Sequence, residues 1–306
     1  MNAMELIKSA NIHAAVQDPD VAHLVIGLNE VVSSNGTDGL DVETEPFGDG
    51  VKIRIVVGEG CVIHKPVHMC FGLVQAEGIQ KIDLDLEVQD RAGISVIAHC
   101  VFPNAENVQH LMDGRIRVGK HASYEYQERH IHSPAGGIDV IPKAVIELDE
   151  YARFQTSFEL IHGRVGRIEM DYEATCQAHS VLEMIAKISA KQDDVVKIRE
   201  TGYLVGEHAR GVLNSRVAVQ DSARADVYNK LVASAAYARG HVDCTEIIQG
   251  DGVVSAVPIV EVNHPKAHVT HEAALGSVDT KQLETLMARG LSEDEASDVI
   301  IEGLLS

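Results

Sequence analysis

Three side chains near the C-terminal end of the chain have the types needed for iron and sulfur chemistry. Cys244 lies in the segment Gly240-His241-Val242-Asp243-Cys244-Thr245, and His271 and Glu272 lie further along, in His268-Val269-Thr270-His271-Glu272-Ala273. A thiolate, an imidazole and a carboxylate from two neighbouring segments can bind iron or receive sulfur. We expect Cys244 to occupy a glycine-flanked turn at the end of an array of strands. A single cysteine is nevertheless more often simply a buried residue.

A second group of cysteines and histidines has the ligand types and roughly the spacing of a zinc site. It comprises Cys61, His64, His68 and Cys70. Apolar residues alternate through the same stretch, a proline interrupts it, and no second ligand pair of matching spacing follows. We therefore interpret this stretch as a strand rather than a metal site, and leave any other role of these four residues open.

The remaining motifs do not indicate nucleotide hydrolysis by this chain. The stretch from His162 to Gly166 contains two glycines but lacks the Gly-Lys-Ser/Thr ending of a phosphate loop, and no helix clearly follows it. The sequence has 16 histidines without an HExxH signature. We expect many of them to be solvated turn residues, namely His121, His130, His132, His162 and His208.

Composition and charge narrow the class of protein. The 306 residues are 45% hydrophobic, which is enough for a substantial core, and the formal net charge is −20. A charge of this sign, without a cluster of lysines and arginines, argues against nucleic-acid binding and against docking on an anionic membrane. Five scattered cysteines indicate reduced thiols, and we see neither a signal peptide nor an apolar stretch long enough to span a membrane. We therefore expect a cytoplasmic protein.

Periodicity divides the chain into a helical start and a long region of strands. Apolar residues recur at helical spacing from residue 1 to residue 34, which predicts an N-terminal helical segment over 1–40. From Val51 the spacing changes to two residues, as in Ile82 to Val88, and this alternation continues to about Ile248. The stretch from Val181 to Ala190 is compatible with either a helix or a strand.

The turns between these strands recur at nearly constant intervals. Short polar turns that contain a small alanine occur at Ala92, Ala122, Ala152, Ala178, Ala209, Ala223 and Ala238. Intermediate turns split several of the longer gaps roughly in half, and the resulting interval is longer than that of an ordinary β-sandwich. A coiled sheet needs such regular corners, and small residues fit stacked corners. We favour a β-helix, with an irregular two-sheet sandwich as the alternative.

Two short helices are predicted after Glu261. Asp279 to Arg289 places apolar residues on one face and stops at Gly290, and Ser292 with Glu295 forms a capping box for a second helix. The apolar residues of this hairpin are Leu283, Leu286, Met287, Val299 and Ile300. The hairpin could cap a solenoid or dock a partner.

The order of motifs from Arg239 onward resembles the C-terminal end of the SufB/SufD family. The family pattern RGxVDCxSLLxGD corresponds to residues 239–251, and PxIEV corresponds to 258–262. The triplet His-Glu-Ala follows at 271–273, and the family's two closing helical motifs correspond to 282–292 and 293–296. The resemblance in order and spacing extends from Arg239 to Leu305, and the central alternating region resembles the family more diffusely.

This resemblance implies a fold, a role and a set of partners. It implies a right-handed parallel β-helix over residues 45–262, flanked by helices, and a role as a scaffold subunit for iron–sulfur cluster assembly. It implies a complex with a SufC-type ABC ATPase that docks on residues 263–306, a sulfur donor protein, and either a homodimer or a SufB/SufD-type heterodimer. The family's sulfur-accepting and cluster-binding cysteine falls on Cys244, and its ligands across the subunit interface fall on His271 and Glu272. ATP hydrolysis would belong to the partner, so this chain is expected not to be an enzyme.

Three departures from the family pattern bear on the role. A second cysteine often follows the Gly-Asp pair in SufB proteins, but Gly252-Val253-Val254 stands there, and the spacing to His271 is one residue short. SufD proteins usually lose the glutamate of the triplet and the Asp-Cys pair, whereas this chain keeps them. The chain also lacks the long N-terminal region of large SufB members, so we do not expect it to bind flavin as their complexes do.

Two other functions remain as alternatives. A structural partner subunit without metal chemistry, similar to SufD, would have the same fold and would bind the same ATPase. A β-helix carbohydrate-active enzyme would also share the fold, but it would need acidic residues clustered on one face.

Overall fold

A computed structural model describes residues 3–305 of the chain, and these residues form nineteen strands and four short helices. The helices are α1 Ala3–Ser9, α2 His13–Gln17, α3 Thr280–Met287 and α4 Glu293–Leu305. The strands are β1 His23–Gly27, β2 Glu30–Asn35, β3 Leu40–Phe47, β4 Gly50–Val57, β5 Val67–Gly72, β6 Glu77–Val88, β7 Gly93–Phe102, β8 Asn107–Val118, β9 Ser123–His132, β10 Ile138–Leu148, β11 Arg153–Leu160, β12 Gly166–Cys176, β13 Val181–Ala190, β14 Val195–Leu204, β15 Arg210–Val219, β16 Arg224–Ala233, β17 Arg239–Ile248, β18 Val253–Val262 and β19 His268–Ser277.

The strands coil into a parallel β-solenoid of about eight turns, which confirms the β-helix prediction. From β4 onward each strand pairs in parallel with the strand two positions further along the chain, so odd strands form one sheet and even strands the other. In the even sheet, for example, Val118 pairs with Leu148, and Leu148 pairs in turn with Cys176. One coil therefore holds two strands and two corners, which explains why the predicted turns divide the repeat roughly in half.

Except for Ala223, the alanine-containing turns are corners of one edge of the solenoid, where the chain enters an odd strand. Ala223 precedes the even strand β16 and lies at the opposite edge. Ala122 is buried, its backbone N–H donates to the carbonyl of Gly119, and His121 before it has a φ of 56°. The same arrangement recurs in other coils, for example at Ala152 and Ala209. The corner that we expected at Ala178 differs from the others. Its buried inner position is occupied by Ser180, two residues further along, whose hydroxyl donates to the carbonyl of Gln177 at 2.7 Å.

The two sheets enclose one continuous apolar core, to which alternate side chains of nearly every strand contribute. Helix α1 packs outside the first coils, where Leu6 and Ile7 meet Val25 and Val101. The ambiguous stretch from Val181 to Ala190 is strand β13. Within residues 3–305, no helix combines the length and the apolar character that crossing a membrane requires.

The prediction of helix throughout residues 1–34 is wrong beyond Gln17. Val21 to Leu28 has helical spacing, but it contains strand β1, whose residues are all buried. Leu24 and Ile26 face the solenoid interior and Val25 faces α1, so both faces are covered. A strand buried on both faces has a continuous apolar run rather than alternation, and periodicity alone does not distinguish it from a buried helix. Residues 1 and 2 lie outside the described residues.

The C-terminal region predicted to be helical begins with a further strand. Strand β19 lies within residues 263–306 and pairs in parallel with β17, so the solenoid continues to Ser277. The two predicted helices follow it as α3 and α4, and the capping box is confirmed: Ser292 N–H donates to Glu295 Oε2 at 2.8 Å. Residue 306 lies outside the described residues.

Candidate functional site

Strand β17 carries Cys244 in its middle, not in a turn as predicted. Val242, Cys244 and Glu246 alternate with outward residues and are buried, so their side chains point into the solenoid. Cys244 pairs with Ser215 on β15 and with Ala273 on β19. It therefore lies one strand from the C-terminal end of its sheet.

Polar side chains surround the thiol in an otherwise apolar interior. Asn229, on the facing sheet, donates its Nδ2 group to Cys244 Sγ at 3.7 Å and to Ser215 Oγ at 3.2 Å. Burial raises the pKa of the Cys244 thiol, and nearby Glu246 and Asp243 raise it further, while hydrogen bonds from Ser215 and Asn229 act in the opposite direction. In this conformation Cys244 is therefore a fully buried thiol, not the residue of a glycine-flanked turn that we expected.

Glu246 is a buried acid beside this thiol, and the sequence interpretation missed it. Neither of its carboxylate oxygens has a hydrogen-bond partner among the described residues, and burial, followed by the neighbouring Asp243, raises its pKa to about 7. The alternation of Val242, Cys244 and Glu246 was the available signal, because it assigns all three to one face of a strand. Ser215 and Asn229 gave no comparable signal, since only the coil register brings them to Cys244.

Strand β19 carries the other two expected ligands on opposite faces. His271 is in register with Val242, so strand alternation puts it on the same inward face as Cys244, diagonally displaced along the strand. Glu272 is in register with Asp243 and belongs to the outer face. Both residues are exposed, because β19 is the last strand of its sheet among residues 3–305. Within one chain, the register therefore puts His271 on the same face of the sheet as Cys244 and Glu272 on the opposite face.

The C-terminal helices present less apolar surface than the hairpin prediction assumed. Helix α4 packs on the outside of the solenoid, where Ile301 and Leu305 meet Ala218 and Ile247. Ile300 is only 8% exposed, so it offers little surface in this conformation. Among the apolar residues named for docking, Leu283 and Leu286 are half-buried, and Met287 and Val299 are exposed.

The residues of the zinc-like motif are not gathered at one point. Cys61 is half-buried before the turn that precedes β5, whereas Cys70 faces outward against α1. His68 stacks on His99, with 5.8 Å between ring centroids.

Two histidines predicted to lie in turns are instead buried in strand β9. His130 Nε2 lies 2.8 Å from Glu128 Oε1, and His130 Nδ1 lies 3.1 Å from His132 Nε2. His132 donates from Nδ1 to the carbonyl of Arg164 at 3.1 Å. Tyrosine, glutamate and histidine occupy every second position from Tyr124 to His132, and this alternation indicates one buried face of a strand. We missed it because we interpreted these histidines as turn residues.

Comparison with known proteins agrees with the family resemblance of the sequence. Residues 74–304 match the family model for the SufBD core domain of the SUF iron–sulfur cluster assembly system. An iron–sulfur cluster assembly SufBD family protein of Methanocaldococcus jannaschii is 34% identical over 99% of this chain and 97% of its own length. One of Pyrococcus horikoshii is also 34% identical, over 99% of this chain and 92% of its own, and one of Archaeoglobus fulgidus is 24% identical over 80% and 66%. The chain thus belongs to the SufBD family of iron–sulfur cluster assembly proteins.

Proposed function

We propose that this protein is a cytoplasmic scaffold subunit on which a nascent iron–sulfur cluster forms, in a complex with a SufC-type ABC ATPase. The observation that carries the proposal is the position of Cys244. It faces the interior one strand from the open end of the solenoid, and His271 is on the same face of the terminal strand. Sulfur and nitrogen donors in this arrangement suit iron.

Cys244 would receive sulfur from a persulfide on a donor protein. Its thiolate attacks the outer sulfur of the donor persulfide, a new sulfur–sulfur bond forms on Cys244, and the donor leaves as a thiolate. The buried thiol must first be uncovered and deprotonated. Movement of β19, which is paired on one side only, would uncover it.

A second subunit would complete the ligand set. Strands β18 and β19 end their sheets, and their backbone edges are free to pair with another chain. A partner docked on this edge would cover His271 and could supply its own histidine or glutamate to Cys244. The partner would be either a second copy of this chain or a SufD-type subunit.

The ATPase would bind near the exposed apolar residues of α3 and α4. Nucleotide binding on that partner would shift the two subunits relative to each other and so open or close the Cys244 site. Mixed thiol, imidazole and carboxylate ligation would hold the cluster weakly enough to be released. We assign ATP hydrolysis to the partner, and no flavin to this chain.

Anaerobic reconstitution tests the role of Cys244. The full chain and its ATPase would be incubated with ferrous iron, a persulfide donor and a reductant that supplies the two electrons needed to convert persulfide sulfur to sulfide. Iron and acid-labile sulfide would then be measured per chain. We expect Cys244→Ala to lose most of the cluster, while Cys176→Ala, which removes an equally buried cysteine, keeps it. An unchanged cluster yield in Cys244→Ala would remove this residue from the mechanism.

One observation favours a second candidate, a structural subunit similar to SufD. The complete burial of Cys244 and the raised pKa of its thiol are also the properties of an inert core cysteine. Such a subunit would still bind the ATPase, but anaerobically purified protein would contain neither iron nor sulfide above the level of the Cys244→Ala variant.

A further inference from the structure

A second group of metal-ligand side chains lies inside the solenoid, on strands remote in sequence from β17. Cys100 on β7, His110 on β8 and Glu128 on β9 each place one ligand atom within 4.8 Å of the others. Each of the three residues is at most 2% exposed. Cys100 and Glu128 come from one sheet and His110 from the facing sheet, so the group bridges the interior.

Two of the three separations between the ligand atoms fit a tetrahedral ion. Cys100 Sγ lies 3.7 Å from His110 Nε2 and 3.6 Å from Glu128 Oε1. Bonds of about 2.3 Å to sulfur and about 2.1 Å to nitrogen or oxygen, at tetrahedral angles, separate the ligand atoms by about 3.6 Å. The sulfur of Cys100 is therefore already at the distance from the other two ligands that a shared ion requires.

Unpartnered buried atoms supply an independent observation at the same place. Glu128 Oε2 and His110 Nδ1 have no hydrogen-bond partner in the described part of the chain. A buried carboxylate oxygen without a partner is costly, and a cation that Glu128 binds through both carboxylate oxygens would satisfy Oε2 as well as Oε1. His130 and His132 hold Glu128 in place through the chain of contacts that ends at the Arg164 carbonyl.

We propose that Cys100, His110 and Glu128 bind one divalent transition metal ion of the zinc or ferrous iron class inside the solenoid. One thiolate and one carboxylate neutralise the two positive charges, and the imidazole binds as a neutral ligand. The thiol proton is released to solvent when the sulfur–metal bond forms. His130 is a positioning residue that orients the carboxylate, as outer hydrogen-bond partners of metal ligands commonly do.

This centre is separate from the proposed cluster site. Cys100 is on β7 and Cys244 on β17, so four strands of the same sheet lie between them. The proposal therefore does not depend on cluster assembly by Cys244, and the Cys244→Ala variant distinguishes the two.

The test measures metal bound to the full-length protein. Because the ligands are buried, the ion must enter as the chain folds, so the protein would be produced in minimal medium with zinc, iron or cobalt as the added metal. After dialysis against a chelator under anaerobic conditions, we expect about one ion per chain in wild type and in Cys244→Ala. The cobalt form should show thiolate-to-metal charge transfer in the near ultraviolet. Comparison of the zinc and iron preparations identifies the preferred ion.

The variants decide whether these residues hold the ion. Cys100→Ala should lose the charge-transfer band and should retain at least about tenfold less metal than wild type. Cys176→Ala removes an equally buried cysteine and should keep both the band and the metal. If Cys100→Ala does not fold, Glu128→Gln removes the charge with almost no change of volume, and it should also lose the metal. Wild type without retained metal, or a charge-transfer band that survives in Cys100→Ala, would overturn the proposal.

Discussion

Buried ionisable side chains are the unusual residues of this protein. The solenoid interior is apolar along most of its length, yet it encloses Glu128, Glu200 and Glu246. Glu200 lies between Tyr172 and Asn229 in the even sheet, and its Oε2 atom has no hydrogen-bond partner among the described residues. Burial raises the pKa of Glu200 to about 8, so the folded protein favours the neutral acid at neutral pH.

Glu200→Gln should change how stability depends on pH. In wild type, the folded state retains a proton on Glu200 that the unfolded state loses near pH 4.5, so this residue lowers stability as pH rises from about 4.5 to about 8. The slope approaches about 1.4 kcal/mol per pH unit within this window. Glutamine removes the titration and should make the variant the more stable protein at pH 8. Urea unfolding of both proteins from pH 5 to pH 9 measures the difference, and parallel curves would contradict this account.

At the scale of elements, one row of corners is held together by stacked rings. His121, Tyr151, His179, His208 and Tyr237 stack coil upon coil, with centroid separations of 4.6, 4.5, 4.9 and 4.8 Å. Each of these residues has a positive φ, from 56° to 62°. This conformation is uncommon for a residue with a side chain, and the stack offsets its cost by packing each ring on the rings of the neighbouring coils.

Tyr151→Ala should test the contribution of this stack. The substitution removes two ring contacts, each worth about 0.5–1.5 kcal/mol, and we expect a loss of about 1–2 kcal/mol in the free energy of unfolding because the rings are partly exposed. Tyr151→Phe keeps both contacts and should unfold like wild type. Denaturant titration measures the three proteins, and equal losses in the two variants would assign the effect to the hydroxyl instead.

At the scale of the whole molecule, the two ends of the solenoid differ. The first coils are flanked by strands β2 and β3, which pair antiparallel with β1 and β4, and by helix α1 on the outside. Strand β3 carries Glu43, Glu45 and Pro46, residues of the kind that protect an edge from pairing. At the other end β19 exposes Leu275, of which 64% is accessible. The C-terminal edge is therefore the better surface for a second subunit.

Leu275→Arg should weaken self-association if a second copy docks on this edge. A charge placed on the inward face of β19 would have to be buried against the partner, so we expect the dimer dissociation constant to rise at least about tenfold. Val145→Arg is the matched control, because Val145 is a similarly exposed apolar residue in the middle of the solenoid. Sedimentation equilibrium measures both variants. A monomeric wild type, or equal effects of the two substitutions, would argue against a homodimer at this edge.

Several features of this protein follow from the sequence alone. Period-two alternation from Val51 onward and turns at nearly constant intervals predicted a coiled sheet, because both patterns are set locally by which face of a strand is buried and by where the chain can turn. The capping box at Ser292 and Glu295 was equally local. The motifs from Arg239 to Ala296 identified the family, and the family model and the relatives confirm it.

Other features were decided only by the tertiary structure. Strand β1 was mistaken for helix because burial on both faces removes the alternation that marks a strand. Cys100, His110 and Glu128, like Cys244, Asn229 and Ser215, meet only through the register between coils and between facing sheets. Register depends on contacts between residues half a coil or a whole coil apart along the chain, which no local pattern specifies. The motif identified Cys244 as a candidate site residue, but it did not indicate the burial of Cys244, because burial depends on which strands cover it.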